Sequence, residues 1–218
     1  MTHIYIEAKS KHQTEYFFLK AIIANIFPNK KEDVDFKFYF LDGVDNLFSK
    51  KASNIQTITQ ANVQGMKVIV ILDADTIEKG FGYEKRKKQI EEGMKQNSVF
   101  FDYFIYPKNQ DEGIVETLMV STAIKASNNV FFDCYSDYEK CLEGVKDDNG
   151  ERKYNVPDLK GKVFAYAEAQ TRYDSEKNQR IPLIKKSEKN DWSFNNKDFW
   201  NLEVEALNPL KDFLKKYL

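Results

Sequence analysis

One stretch of the chain decides its fold, Val68-Ile69-Val70-Ile71-Leu72-Asp73-Ala74-Asp75. It opens with a continuous apolar run of strand length that is rich in β-branched residues. Strands without polar alternation are typical of the centre of a parallel sheet, where helices cover both faces. The run stops at two aspartates, so it predicts a buried strand that carries carboxylates at its C-terminal tip.

Strand and helix patterns alternate on both sides of this stretch. Further strands are predicted at His3–Ile6, Phe36–Leu41 and Val99–Tyr106. Apolar residues at helical spacing predict helices over residues 16–26 and 111–126. A weaker helical pattern covers residues 45–64, and a charged helix is predicted over residues 83–96. Regular alternation of this kind predicts an α/β fold, a mostly parallel Rossmann-like sheet with helices on both faces.

The later part of the chain has weaker patterns. We expect one more strand at Val163–Ala167 and a terminal helix over Leu202–Leu218, broken at Asn208-Pro209. No linker composition separates this part from the rest. The predicted organisation is a domain over residues 1–126 and a C-terminal extension over residues 127–218 that packs on the same domain.

Composition excludes several classes of protein. The 218 residues carry a net charge of −1, so binding of nucleic acid by bulk electrostatics is not expected, and any contact needs a local basic surface. Such segments occur at Lys85-Arg86-Lys87-Lys88 and Lys185-Lys186, although a lysine-rich helix face is ordinarily just solvated. Two cysteines and two histidines are too few for a zinc cluster, and Cys134 and Cys141 are expected to be free thiols, packed in the protein, in a reducing cytosol. Without an apolar signal segment or a membrane span, we expect a cytoplasmic protein.

Three carboxylates fall at predicted strand ends. Glu7 follows the first strand, and Asp73 and Asp75 follow the third. Ligands of open α/β sheets sit beyond the carboxyl ends of the strands, and two residues of extended chain would point Asp73 and Asp75 the same way. Hard oxygen ligands suit Mg²⁺ or Mn²⁺. Capping of helices by strand-end aspartates is the plainer alternative, and Lys9 or Lys11 could relieve the charge instead of a metal.

The motifs that carry these acids resemble a known family, the Toprim superfamily. The first resembles its opening motif, a hydrophobic strand followed by Glu, a small residue and a polar turn: Ile4-Tyr5-Ile6-Glu7-Ala8-Lys9-Ser10-Lys11. The second, Val68 to Asp75, resembles its strand ending in Asp-x-Asp. Phe104-Ile105-Tyr106-Pro107 and the segment from Asp111 to Leu118 look like small stand-alone bacterial Toprim-like proteins. The resemblance covers roughly residues 3–126, and Ala8 stands where the family usually has Gly.

The resemblance implies a role for each acid. Glu7 would be the general acid/base or reach the metal through water, and Asp73 and Asp75 would hold Mg²⁺. Glu112 and Glu116 would support the site or a second metal, unless they only favour the dipole of their helix. The implied function is Mg²⁺-dependent phosphoryl transfer on DNA or RNA, as a nuclease in defence or RNA processing. By analogy with some Toprim nucleases, a partner ATPase could take part.

Other functions remain open at this point. A haloacid-dehalogenase-like phosphatase needs a residue between its second Asp and a Thr, whereas Thr76 follows Asp75 directly. A metal-dependent glycosyltransferase also uses Asp-x-Asp with Mn²⁺, but it gives Glu7 no task. The chain has no P-loop motif. A Toprim-like module that binds a partner without catalysis is the main alternative, because a fold alone never establishes activity.

Overall fold

A four-stranded parallel sheet forms the centre of the protein. The structure, a computed structural model, describes residues 1–49, 51, 53–123, 125–184 and 192–218. The strands are β1 (Thr2–Ile6), β2 (Phe36–Phe40), β3 (Lys67–Asp73) and β4 (Asp102–Tyr106). They run in the order β2-β1-β3-β4, and every neighbouring pair is parallel. The predicted mostly parallel α/β sheet is confirmed.

Helices connect the strands and continue the chain. The α-helices are α1 (Thr14–Ile26), α2 (Asn54–Val63), α3 (Tyr83–Asn97), α4 (Val115–Thr122), α5 (Lys125–Gly144), α6 (Leu159–Ala169) and α7 (Asn208–Tyr217). A hairpin of β5 (Thr171–Asp174) and β6 (Gln179–Pro182) follows α6 as a separate two-stranded sheet. Short 3₁₀ turns lie at Val44–Asn46, Ile77–Lys79 and Glu205–Leu207.

The central strand β3 contributes to a hydrophobic core on each face of the sheet. Ile69 and Ile71 belong to the core that also contains buried residues of α1, α4 and α7, while Val70 and Leu72 join the core under α2 and α3. Alternate residues of a strand point to opposite faces, so only an apolar run can serve both cores. Full burial of one such side chain stabilises the fold by about 1.5–3 kcal/mol.

The C-terminal part of the chain shares the first of these cores. Tyr166, Phe194 and Trp200 are buried in one cluster with Ile4 and Ile6 of β1. The Trp200 Nε1–H donates to the backbone carbonyl of Trp192 at 2.9 Å, which satisfies its polar atom inside the core. Helix α5 runs across the predicted domain boundary at residue 126.

Some predicted elements are wrong in type or in extent. The strand predicted at Val163–Ala167 is part of helix α6, because its apolar residues bury Val163, Tyr166 and Ala167 at helical spacing. Asp158 caps this helix, its Oδ1 accepting a hydrogen bond from the Gly161 N–H at 3.0 Å.

Three predicted helices begin or end elsewhere. Pro209 lies in the first turn of α7 and so starts this helix instead of breaking it. The helix predicted over residues 111–126 is α4, which is shorter, and the helix predicted over residues 45–64 is a 3₁₀ turn followed by α2.

Two further features concern the cysteines and the helices. Cys134 and Cys141 are free thiols as predicted, but both are exposed instead of packed in the interior. Across the described ranges, no helix combines the length and the apolarity that a membrane crossing needs.

Candidate functional site

A pocket of about 570 Å³ opens at the carboxyl end of the sheet. It lies where Glu7 follows β1 and Asp73 ends β3, the two adjacent strands from which the chain departs to opposite sides of the sheet. Such a switch point is where open α/β sheets bind ligands. Helices α1, α4 and α6 supply further lining residues, among them Glu15, Glu116 and Lys160.

Glu7 and Asp73 are tied to the backbone of neighbouring elements. Glu7 Oε2 accepts a hydrogen bond from the Asp73 N–H at 3.3 Å, which joins the tips of β1 and β3. Asp73 Oδ1 accepts one from the Val115 N–H at 2.8 Å, at the start of α4. The Asp73 carboxylate therefore caps this helix as well as facing the pocket.

Glu15 and Glu116 bring two more carboxylates to the pocket. Glu15 Oε2 accepts a hydrogen bond from the Ala8 N–H at 2.9 Å, which anchors the turn after β1 to α1. Glu116 is buried, and its Oε1 lies 3.9 Å from Nζ of Lys160. Its other oxygen, Oε2, has no hydrogen-bond partner among the residues that the structure describes.

Burial and mutual repulsion make this cluster hold protons more tightly than free carboxyls do. Burial, followed by the charges of Glu7 and Glu116, raises the pKa of Asp73 well above its ordinary value. Burial, followed by Asp73 and Glu7, does the same to the pKa of Glu15. Burial also raises the pKa values of Glu7 and Glu116. A bound cation would favour the ionised forms of all four groups.

Asp75 has a different environment from Asp73. Extended geometry predicted that both side chains point the same way, and this is wrong, because Asp75 adopts a left-handed backbone with φ of 59°. Its Oδ2 lies 2.6 Å from an Arg86 guanidinium nitrogen, in a salt bridge away from the pocket lining. Arg86 is 1% exposed, and it also donates from Nε to the Asp73 carbonyl at 2.9 Å.

A paired backbone contact positions α4 against this loop. The Asp75 N–H donates to the Gly113 carbonyl at 2.9 Å, and the Gly113 N–H donates back to the Asp75 carbonyl at 3.0 Å. Gly113 has φ of 142°, and a Cβ there would lie 3.1 Å from Cδ of Pro107. Glycine is required at this position, and the contact brings Val115 and Glu116 to Asp73.

The remaining predicted site residues lie in different places. Lys9 lines the pocket and pairs with Asp42 at 3.5 Å. Lys11 is exposed in the turn before α1 and does not line the pocket. Glu112 is also exposed and outside the pocket, where its Oε2 accepts a hydrogen bond from the Ile77 N–H at 2.7 Å.

Of the two predicted basic segments, the structure describes only the one that contains Arg86. Arg86 is buried while Lys85 and Lys88 are exposed, so the expected solvated face consists of these two lysines. Lys185-Lys186 lies outside the described residues.

Glu15 and Lys160 were missed by sequence reasoning. Glu15 stands in the first turn of the helix that follows β1, so its position at the carboxyl edge of the sheet was a usable signal. Lys160 carried none, because it lies more than 150 residues from Glu7 in a segment whose helix was not predicted.

The carboxylates that line the pocket are oxygen ligands of the type that hard divalent cations prefer. No group of three or more His, Cys, Asp or Glu side chains is arranged to hold a metal within the described part of the chain. Mg²⁺ commonly takes only one or two protein carboxylates and fills its other positions with water and substrate phosphate. Glu7 and Asp73 supply two carboxylates of this type to the pocket.

Comparisons with protein-family models, with curated proteins and with solved structures found no match for this chain. A function has to be argued from the pocket itself and from the two motifs that lead into it.

Proposed function

We propose that this protein is a Toprim-like, Mg²⁺- or Mn²⁺-dependent enzyme of phosphodiester transfer, a cytoplasmic nuclease of DNA or RNA. One observation carries the proposal: the carboxylates of Glu7, Glu15, Asp73 and Glu116 line one pocket at the switch point of a parallel sheet. Residues 127–218 serve as an extension that completes this pocket. A partner ATPase belongs to the proposal by analogy only.

Each acid has a role in this proposal. Asp73 and Glu7 would hold the metal, and the metal would neutralise charge on the phosphodiester. Glu116 would support the site from α4 without binding this metal. Glu7 is suited to move a proton, because burial raises its pKa toward the range in which a carboxyl can both give and accept one. Asp75 acts indirectly, since it orients Arg86, which holds the backbone of Asp73.

A binding module without catalysis is the second candidate. Only one aspartate of the Asp-x-Asp pair lines the pocket, and the other is neutralised by the protein's own Arg86. A site reduced in this way could retain the fold and a ligand while it loses the reaction.

The test is a cleavage assay on purified protein. Plasmid DNA, tRNA and single strands are incubated with Mg²⁺ or Mn²⁺, and wild type is compared with Asp73→Asn and Glu7→Gln. We expect each variant to lose about 100-fold or more in rate, the scale of losing a positioned acid/base or charge-stabilising group. Asp111→Asn and Glu78→Gln change exposed acids outside the pocket and serve as matched controls. Equal cleavage by wild type and both pocket variants, or none by any, contradicts the catalytic function.

A further inference from the structure

We infer that the pocket receives one unpaired nucleotide, with its base on Phe164 and its phosphate toward Lys160, so that the substrate class is single-stranded nucleic acid. This inference rests on the proposed function, because the phosphate would meet the acids only in the presence of a divalent cation. Both residues belong to α6, outside the two motifs that led to the acidic cluster.

Helix α6 presents one face to the pocket. Lys160, Val163 and Phe164 line it, and their spacing of three and four residues places them on the same side of the helix. Val163 is buried in the core and fixes the helix, whereas 51% of Phe164 is exposed. A large aromatic side chain with this exposure, in a pocket that it shares with acids and a lysine, provides a stacking surface for a base.

Lys160 places a cation beside the acids. Its side chain is 73% exposed, and its contact with Glu116 is long at 3.9 Å, so the ammonium group can reorient toward a ligand. Beneath it, the Glu116 side chain is 7% exposed and its Oε2 has no hydrogen-bond partner in the described residues. A buried acceptor of this kind points to a bound group that would complete the site.

The size of the pocket favours an unpaired nucleotide over a duplex. Its volume of about 570 Å³ falls in the range of about 300–1,000 Å³ that is usual for small-molecule sites. A base within a duplex is stacked and paired, so it would have to flip out of the nucleic-acid duplex to reach Phe164. A single strand offers its base without that cost.

The experiment compares one labelled oligonucleotide as a single strand and as a duplex. Binding is measured by fluorescence anisotropy with Ca²⁺, and cleavage with Mg²⁺ or Mn²⁺. Phe164→Ala is expected to weaken single-strand binding about ten-fold, within the range of losing one base–aromatic stack, and to leave duplex binding unchanged. Phe164→Tyr and Phe164→Trp keep a stacking ring and should retain the affinity. Phe100→Ala, at another exposed ring that does not line the pocket, is the control.

Lys160→Gln tests the phosphate contact separately. It should weaken single-strand binding and reduce its dependence on salt, because one fewer counterion is released on binding. Thermal melts of each variant show whether the fold is intact.

The outcomes separate the two claims. If wild type cleaves and Phe164→Ala weakens the binding of single strand and duplex equally, or weakens neither, the inference is overturned and the proposed function stands. Binding of single strands that depends on Phe164, without cleavage in any metal, keeps the inference and removes the catalytic function. Absence of binding by wild type overturns both.

Discussion

Asp73 and Asp75 belong to one motif, yet their surroundings are opposite. The Asp75 carboxylate lies 2.6 Å from the buried guanidinium of Arg86, so the protein supplies its counter-charge. The Asp73 carboxylate lies among Glu7, Glu15 and Glu116, and the charges of Glu7 and Glu116 add to burial in raising its pKa. One aspartate is already neutralised, and the other lies among like charges that a cation would relieve. In the proposed function, the two aspartates of the Asp-x-Asp pair therefore have different tasks.

Arg86 links the two aspartates, so its removal should have the largest effect. It donates to the Asp73 carbonyl, to the Asp75 carboxylate and to Oε1 of Gln89 from a buried position. Arg86→Met would leave these acceptors without their donor, at a cost of about 3 kcal/mol in the free energy of unfolding. Urea unfolding measures this cost.

Arg152→Met is the matched control for this variant, because Arg152 is half exposed and its salt bridge to Glu143 is long, at 3.9 Å. We expect it to change the free energy of unfolding by less than about 0.5 kcal/mol. Equal losses of unfolding free energy in the two variants would show that Arg86 does not stabilise the segment from Asp73 to Asp75.

Mg²⁺ should distinguish the two aspartates directly. At a free concentration about 100 times its dissociation constant, a ligand of the native state adds about 2.7 kcal/mol of stability. We expect this gain in wild type and in Asp75→Asn, and its loss in Asp73→Asn, as measured by thermal melts with and without the metal. Asp75→Asn should start from a lower stability, since it leaves Arg86 without its charge partner. If Mg²⁺ stabilised neither Asp73→Asn nor Asp75→Asn, Asp75 would be a direct ligand of the metal as well.

The backbone contact at Gly113 should have the next effect. Gly113→Ala places a side chain at φ of 142° and against Pro107, so it should cost more than about 1 kcal/mol and weaken the response to Mg²⁺. Gly144→Ala is the control, because no atom would approach its added Cβ within 4 Å. Melts of both variants with and without Mg²⁺ check the prediction. A normal Mg²⁺ response in Gly113→Ala would mean that α4 does not need this contact to reach Asp73.

Sequence patterns predicted the parts of the site that depend on local rules. The apolar run of β3 indicated a strand that is buried on both faces. Parallel strands place their carboxyl ends at one edge of the sheet, so Glu7 and Asp73 were expected to lie close together. The left-handed backbone of Asp75 depends on Gly113 and Arg86, which approach only in the folded chain. Lys160 and Phe164 reach the pocket through α6, whose short apolar run fits a strand as well as a helix.

Substitution of Glu15 changes the charge around Asp73 without altering Asp73 itself. Its folded-state pKa is raised by burial, Asp73 and Glu7, so its ionisation lowers the stability of the metal-free protein as the pH rises through that pKa. Glu15→Gln keeps an acceptor for the Ala8 N–H and removes the charge. The variant should be more stable than wild type by about 1 kcal/mol at neutral pH. The difference should shrink toward zero as the pH falls below about 4, because the Glu15 carboxyl then takes up its proton in unfolded wild type as well as in the folded protein.

Glu84→Gln is the matched control, since Glu84 is exposed in the first turn of α3 just as Glu15 stands in the first turn of α1. It loses only the favourable interaction with the helix dipole, and so it should be slightly less stable than wild type at neutral pH. Urea unfolding across this pH range, without metal, measures both variants. A destabilised Glu15→Gln at neutral pH would show that the carboxylate has a counter-charge, and the contrast between Asp73 and Asp75 would then be smaller than the structure indicates.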